Sequence, residues 1–210
     1  MGNPTQKIVT PLGELNWVFI NGNTKQDLNG NDRYVASVYF HKDSPEFKQV
    51  EKEVKTFWDE HKPKGAKLKS NGIKVVQERV DGEVDDDGEQ LYKDTEFMSL
   101  NFWTGPTFPN GKDKVIKTFN ARGSEVSLGD KKIGNGTTGA ISGVMGIYDN
   151  GPAAKGVTLY LNAIQIKKFV EFTGGDAGFE DTGDAEDDDF NGVEDTFESV
   201  EADETAKPRL

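Results

Sequence analysis

The alternation of apolar and polar positions predicts a chain built mainly of β-strands. Stretches rich in β-branched and aromatic residues recur along it and are separated by turns containing Gly, Asn and Asp. The predicted strands are residues 14–20, 33–41, 96–103, 114–121, 140–148 and 157–170. In the last strand the apolar positions change from odd to even numbers near Asn162, which predicts a β-bulge at that residue.

One segment has the periodicity of an α-helix instead. Ser44 is a suitable N-cap and Pro45 suits the first helical position, whereas Pro63 predicts the end of the helix. A single apolar stripe follows at helical spacing, formed by Phe47, Val50, Val54, Phe57 and Trp58. The opposite face mixes both signs of charge, which favours a helix that packs on the body over one that reads DNA.

These elements together predict the fold class. About six strands and one helix within roughly 170 residues indicate a mainly β fold, an OB-fold-like small β-barrel with one packing α-helix. Barrels of this kind characteristically bind oligonucleotides or oligosaccharides.

Charge divides the chain into two parts. The net charge is −12 over 210 residues, and residues 176–210 contain 14 acidic residues but only two basic ones. Six further acids lie in residues 81–89, so the remaining body is mildly basic. A segment so rich in like charge and poor in aliphatic residues cannot bury a core. We therefore expect a folded domain over residues 1–175 and a disordered acidic tail over residues 176–210.

Aromatic residues in this tail predict more than solubility. Acidic sequence interrupted by phenylalanine suits docking onto basic, apolar grooves of partner proteins, or onto the body's own basic groove. The residues concerned are Phe179, Phe190 and Phe197. A purely solubilising tail remains the alternative.

Several chemistries receive no support from the sequence. There is no Cys and there are only two His, which excludes thiol chemistry and a His-rich metal site. The G-x-G-x-x-G match at residues 134–139 is not framed by a strand and a helix, and we interpret it as a flexible loop. The acidic run 81–89 lacks the flanking helices of a calcium loop and is interpreted as a solvated loop. No triad, zinc or phosphate-binding motif is present, so we expect no enzyme activity, catalytic residue, metal or cofactor.

Basic residues interleaved with aromatic ones form the candidate site. Single-stranded nucleic acid is bound by cations that follow the phosphates and by flat rings that stack on the bases. Burial of any one ring in the core is the alternative, but the aromatic residues exceed what one small barrel hides. The candidates are Tyr39, Trp103, Phe108, Lys112, Lys114, Lys117, Arg122, Lys131, Lys132 and Tyr148.

The layout resembles the bacteriophage single-stranded-DNA-binding proteins, which are small OB-fold proteins with an acidic C-terminal tail. The similarity rests on ELNWVFI at residues 14–20, the strand YVASVYFHK, the helix SPEFKQVEKEVKTFWDEH, and VTLYLNAIQIKKFVEF running into Thr173-Gly174-Gly175-Asp176. It implies sequence-independent binding of single strands in phage DNA replication, recombination and repair. It also implies tail-mediated contact with a polymerase and a helicase-primase. The basic loop after the helix would then touch DNA through Lys64, Lys67 and Lys69.

One departure from the family concerns the last residues. Some members end in acids and a terminal phenylalanine, whereas this chain ends Ala206-Lys207-Pro208-Arg209-Leu210. Phe190 and Phe197 are therefore expected to take the docking role.

The leading hypothesis is thus a single-stranded-DNA-binding protein of phage origin. It has no apolar run long enough for a bilayer and no apolar core of a signal peptide, so we expect it in the cytoplasm, that of the host cell if viral. A homo-oligomer or a cooperative array on DNA is compatible with it. Two alternatives remain open: a non-enzymatic β-barrel module that binds protein or carbohydrate and carries a solubilising tail, and an enzyme with an unrecognised site.

Overall fold

A computed structural model describes residues 3–84, 88–108, 110–151 and 155–172. Within these ranges the chain forms ten strands and one helix. The strands are β1 (Thr5–Val9), β2 (Gly13–Phe19), β3 (Lys25–Gln26), β4 (Asp32–His41), β5 (Ile73–Val84), β6 (Gln90–Thr104), β7 (Lys117–Phe119), β8 (Glu125–Val126), β9 (Thr137–Asp149) and β10 (Lys155–Lys168), and the helix is α1 (Pro45–His61). The tail predicted for residues 176–210, with Phe179, Phe190 and Phe197, lies outside the described residues.

Five strands close into a barrel. Strand β9 pairs with both β2 and β10, and the order β9-β2-β4-β6-β10 completes the ring. The β6–β10 junction is parallel and consists of one register pair, Trp103 with Tyr160. Strands β1, β3 and β5 extend the sheet beside β9, β4 and β6, and the β7–β8 hairpin lies along β10. The mainly β fold with one helix is the predicted class.

The helix forms for the predicted reasons. Ser44 Oγ accepts the Phe47 backbone N–H at 3.1 Å, and Pro45 occupies the first turn. The whole apolar stripe from Phe47 to Trp58 is buried and contacts β4, β9 and β10. It joins a core supplied by the inward faces of the barrel strands, including Leu15, Leu100, Phe102, Ile141, Leu159 and Ile164.

The predicted strands are present, and the predicted bulge is confirmed. Pairing between β10 and β9 shifts register between Leu161 and Ala163, on either side of Asn162. The strand predicted at 114–121 is shorter than expected, because only Lys117–Phe119 pairs with neighbours.

Two loop predictions were wrong in part. Residues 81–84 of the acidic run continue β5 as a strand, although they are exposed; residues 85–87 of that run are not described. This extension has no buried face, so it lacks the alternation by which a strand is recognised. In the glycine-rich segment, residues 137–139 belong to β9. A Cβ at Gly139 would lie 2.3 Å from the Gln165 carbonyl oxygen, which explains a glycine there as a packing requirement.

Four strands escaped prediction: β1, β3, β5 and β8. Strands β3 and β8 have two residues each, too few for a periodic signal. No helix in the described part of the chain has the length and apolar character needed to span a membrane.

Candidate nucleic-acid interface

The outer face of β4 and β6 carries a polar floor. The register pairs Ser37 with Asn101 and Tyr39 with Ser99, which places these side chains on one face. Ser37 Oγ donates to Asn101 Oδ1 at 2.7 Å, and Asn101 Nδ2 donates to Ser99 Oγ at 3.0 Å. We call Ser37, Ser99 and Asn101 the polar floor. Ser37 and Ser99 are buried and Asn101 is half-buried. Ser99 Oγ also donates to the Lys74 carbonyl at 3.2 Å, so the polar groups of the floor already have partners within the chain.

A first ring pair stands at one end of this floor. The rings of Trp103 and Tyr160 contact each other with centroids 5.5 Å apart at an angle of 58°. The guanidinium carbon of Arg33 lies 4.6 Å from the Trp103 ring centroid. Arg33 is itself held by Asp27, whose carboxylate accepts two hydrogen bonds from it at 3.0 and 3.1 Å. Trp103 is half-buried, so one part of its ring remains available to a ligand.

A second ring pair stands at the other end. The indole Nε1–H of Trp17 donates to the Tyr39 hydroxyl at 3.1 Å, and Lys25 Nζ lies 5.6 Å from the Trp17 ring centroid. Trp17 is 53% exposed. Partial burial raises the pKa of Tyr39, opposed by the hydrogen bond from Trp17, so the hydroxyl stays protonated at neutral pH. The rows holding Trp103 and Tyr39 are four residues apart, about 13 Å at the rise of a strand.

Two glycines allow tyrosine rings to pack directly against the backbone of the sheet. A Cβ at Gly146 would lie 3.0 Å from Tyr160 Cε2, and one at Gly156 would lie 2.9 Å from Tyr148 Cε1. Tyr148 and Tyr160 therefore pack against the backbone of β9 and β10, half-buried and partly exposed respectively. The outer aromatic surface continues from the first ring pair across these two strands.

The basic loop that follows α1, which carries Lys64, Lys67 and Lys69, is hydrogen-bonded to the start of β10 beside Tyr148. The Lys69 N–H donates to the Lys155 carbonyl at 3.0 Å, and the Val157 N–H donates to the Ser70 carbonyl at 2.9 Å. Lys64, Lys67 and Lys69 are exposed, and none of their ammonium groups forms an ion pair with a carboxylate of the described residues. Their charge is thus available to an anion.

A second basic element follows β6. Lys114 Nζ donates to Thr104 Oγ1 at 2.6 Å and lies 5.1 Å from the Phe108 ring centroid. Burial lowers the pKa of Lys114. Phe108 is 47% exposed, and Lys112 is exposed on the same loop. This loop starts directly after Trp103 and Thr104, so it lies at the end of the floor that holds the first ring pair.

The remaining predicted cations lie around the β7–β8 hairpin. Lys117 pairs with Glu125 at 2.7 Å, and Lys131 pairs with Glu171 at 2.9 Å. Lys117, Lys131 and Lys132 border an open groove of about 710 Å³, and Arg122 borders a smaller one. The hairpin pairs with β10 only beyond its bulge, at residues 163–165. The groove that Lys117, Lys131 and Lys132 border also includes Val18, the residue that follows Trp17.

Four residues of the candidate interface were missed from the sequence: Trp17, Lys25, Arg33 and Tyr160. Tyr160 could have been found, because inward-facing Leu159 and Leu161 place it on the outer face. Trp17 could not, since its exposure depends on a bulge in β2. Lys25 and Arg33 lie outside the lysine-rich loops, so no local cluster of basic residues marks them in the sequence.

One exposed cluster offers possible metal ligands. Atoms of His41, Asp43 and Glu96 lie within 4.8 Å of one another. Glu96 is already paired with Lys42, and His41 Nδ1 accepts the Asp43 N–H at 3.3 Å. Glu96 and His41 Nδ1 thus already have partners within the chain.

Comparison with solved structures decides the fold. The chain aligns with gp2.5, a single-stranded-DNA-binding protein of bacteriophage T7, with a TM-score of 0.55 and 13% identity over 86% of this chain and 98% of the other. It aligns with the C-terminally truncated single-stranded-DNA-binding protein of bacteriophage Enc34 with a TM-score of 0.52 and 14% identity, over 79% of this chain and 87% of the other. The fold is that of the phage single-stranded-DNA-binding proteins.

A third structure adds a ligand-bound example of the same fold. The Enc34 protein in complex with single-stranded DNA aligns with a TM-score of 0.50 and 14% identity, over 80% of this chain and 89% of that one. No protein-family model matches the sequence, and a search of curated proteins also found no match.

Proposed function

We propose that this protein binds single-stranded DNA without sequence preference. The observation that carries the proposal is the outer face of the barrel, where two ring pairs, each with a cation over one ring, flank a polar floor. Rings stack on any base, at roughly 1–3 kcal/mol per base, and therefore give affinity without selecting a sequence.

The arrangement supplies both parts of such a binding site. Trp103 and Tyr39, the partner of Trp17, lie in register rows about 13 Å apart, far enough for the two ring pairs to contact different nucleotides of an extended strand. The polar floor between them is largely buried and its groups bond one another, so it serves as a rigid base between the two ring pairs. Lys25 lies over the Trp17 ring, where it can reach a phosphate beside a stacked base. Arg33 is held by Asp27 and places positive charge beside the Trp103 ring.

The basic loops extend this surface. Lys64, Lys67 and Lys69 carry no ion pair with a described residue, so phosphates can bind them without breaking an existing contact. Lys112 and Lys114 flank the other end beside Phe108. Lys117 and Lys131 would first have to exchange Glu125 and Glu171 for phosphate, so we assign these two lysines a secondary role as an electrostatic surround. We group Arg122 and Lys132 with them because they border the same two grooves beside the β7–β8 hairpin.

The proposal includes the acidic tail and the biological setting. The tail from residue 176 is strongly acidic, opposite in charge to the basic loops of the body, and we propose that it competes with DNA for them. We also propose that it recruits replication proteins, such as a polymerase and a helicase-primase, through Phe179, Phe190 and Phe197. The setting is phage DNA replication, recombination and repair. The similarity of fold to phage proteins supports this setting, and the tail's charge supports the competition.

Fluorescence anisotropy with labelled oligonucleotides tests the proposed function. Oligo(dT) and a mixed-sequence single strand should bind with similar affinity, and a duplex of equal length should bind more weakly. An oligonucleotide of equal length made of abasic sites is the matched control: it keeps the phosphates but has no bases. We expect it to lose about tenfold or more in affinity if rings stack on bases. Equal affinity for the abasic strand would reject the ring pairs as the binding determinant, and absence of single-strand binding would reject the function.

A further inference from the structure

Trp17 has a backbone conformation that a tryptophan rarely adopts. Its φ is +54°, in the left-handed region, within strand β2. Such a conformation costs on the order of 1–3 kcal/mol and persists only where the surroundings enforce it. The register with β4 moves from Asn16–Ser37 directly to Phe19–Val35, so Trp17 lies in a bulge. The bulge turns the indole outward, which accounts for its 53% exposure.

One side chain holds the strained backbone in place. The Trp17 backbone N–H donates a hydrogen bond to Asn135 Oδ1 at 2.9 Å, although the two residues are 118 positions apart in the sequence. The neighbouring Gly136 N–H donates to the Leu15 carbonyl at 3.2 Å. The segment that bears Asn135 thus continues the pairing of β2 with β9 beyond its last register pair, Leu15 with Thr137.

The Asn135 loop is anchored from its far side as well. The Gly134 N–H donates to the Val170 carbonyl at 2.8 Å, and Thr137 Oγ1 donates to the Gly134 carbonyl at 2.9 Å. Asn135 is exposed, yet its position is determined by these bonds on both sides. It can therefore act as a fixed acceptor for the Trp17 backbone.

We infer that Asn135 is a positioning residue for single-strand binding: through the Trp17 backbone it fixes the bulge that presents the indole as the second stacking platform. The inference rests on the proposed function. Without this acceptor the bulge is free to relax, and the ring must be ordered when DNA binds. Rigidity before binding improves affinity because less conformational entropy is lost on association.

A purely structural role is the competing explanation. Trp17 could serve only to cover Asn16, which is buried, with the Asn135 bond adding stability to the loop. The two explanations differ in one respect: positioning requires that the effect of Asn135 on DNA affinity depends on the presence of the Trp17 ring.

A double-mutant cycle measures this dependence in the full-length protein. Asn135→Ala should weaken oligo(dT) binding about fivefold, the equivalent of ordering one residue's backbone. In a Trp17→Ala background the same substitution should change affinity by less than about twofold, because the group it positions is gone. Ser127→Ala is the matched control, since Ser127 Oγ also accepts a loop N–H, from Gly129 at 3.3 Å, but does not contact Trp17. It should leave affinity unchanged.

A spectroscopic readout keeps the inference testable if no DNA is bound. The chain has three tryptophans, so 5-fluorotryptophan labelling gives three ¹⁹F resonances, and Trp17→Phe assigns one of them. In the free protein, Asn135→Ala should shift or broaden the Trp17 resonance and leave those of Trp58 and Trp103 in place. An unchanged Trp17 resonance, or equal effects of Asn135→Ala in both backgrounds, overturns the inference. Failure of the wild-type protein to bind any single strand would instead reject the proposed function.

Discussion

The guanidinium of Arg33 lies with its carbon 4.6 Å from the Trp103 ring centroid while its Nη2 pairs with Asp27 at 3.0 Å. The carboxylate holds one edge of the guanidinium and leaves its face over the indole. A cation held in this way remains beside the ring, so Arg33 and Trp103 form one unit of the proposed binding surface.

Removal of the Trp103 ring should weaken single-strand binding. Trp103→Ala removes the ring that contacts both Arg33 and Tyr160, and stacking energies predict a loss of about 1–3 kcal/mol. Oligo(dT) anisotropy measures the loss, and quenching of tryptophan fluorescence on binding should also decrease. Trp58→Phe, in the buried stripe of α1, is the control that should keep both signals. Full affinity and full quenching in Trp103→Ala would exclude Trp103 from the interface.

The free lysines of the basic loop should set the salt dependence. A triple substitution to alanine of Lys64, Lys67 and Lys69 should reduce the slope of log K against log salt by about 0.7 for each phosphate that the variant no longer neutralises. A triple substitution of Lys48, Lys52 and Lys55 makes the same change of charge on the exposed face of α1. Its slope should match wild type. Equal slopes for the two triple variants would show that only overall charge matters.

Deletion of residues 176–210 should tighten binding to single strands. The deletion removes the −12 charge of the tail and, with it, the proposed competitor for the cationic surface. Tethering gives such a competitor an effective concentration of about millimolar, so the gain should be largest at low salt. The slope of the salt dependence should change less than in the basic-loop variant. Unchanged affinity after deletion would contradict the competition.

The Asp27 carboxyl should titrate far below its usual range. Hydrogen bonds from the Asn31 backbone and side chain, from the Asn29 backbone and from Arg33 lower its pKa from 3.8 to about 2. Because the pKa is lower in the folded state, the stability that this group adds is fully present above pH 3.8 and is lost as the pH falls through about 2.

Carboxyl-carbon NMR measures this titration directly. Asp27→Asn should remove the pH dependence in that window and loosen the restraint on Arg33, so that oligo(dT) affinity falls even at neutral pH. A midpoint near 4 in the folded protein would refute the hydrogen-bonding account of Asp27.

The sequence could predict the parts of the fold that have a buried face. The stripe from Phe47 to Trp58 and the change of parity at Asn162 both follow from the requirement that apolar side chains point inward, and both are found. Strand β5 escaped prediction because its outer half pairs with β6 without burying either face. A periodic pattern of apolar residues appears in the sequence where an element buries one face, and not where a strand only pairs with its neighbour.

The candidate site was less accessible to sequence analysis for a related reason. Trp103, Tyr39 and Tyr148 share faces with small polar residues, so alternation alone predicts outward rings, and the structure leaves each of them partly exposed. The pairing of Trp17 with Tyr39 and of Arg33 with Trp103 depends on register between strands distant in sequence. Clusters of lysine in loops are visible along the chain, whereas single cations placed by register are not.

The single register pair that joins β6 to β10 has a consequence for the barrel itself. This junction has the fewest register pairs of any in the barrel, and the Trp103 and Tyr160 side chains contact each other across it. A nucleotide stacked on this ring pair would contact both strands of the junction and hold them together. DNA binding should then slow amide exchange along β6 and β10 and raise the melting temperature of the protein.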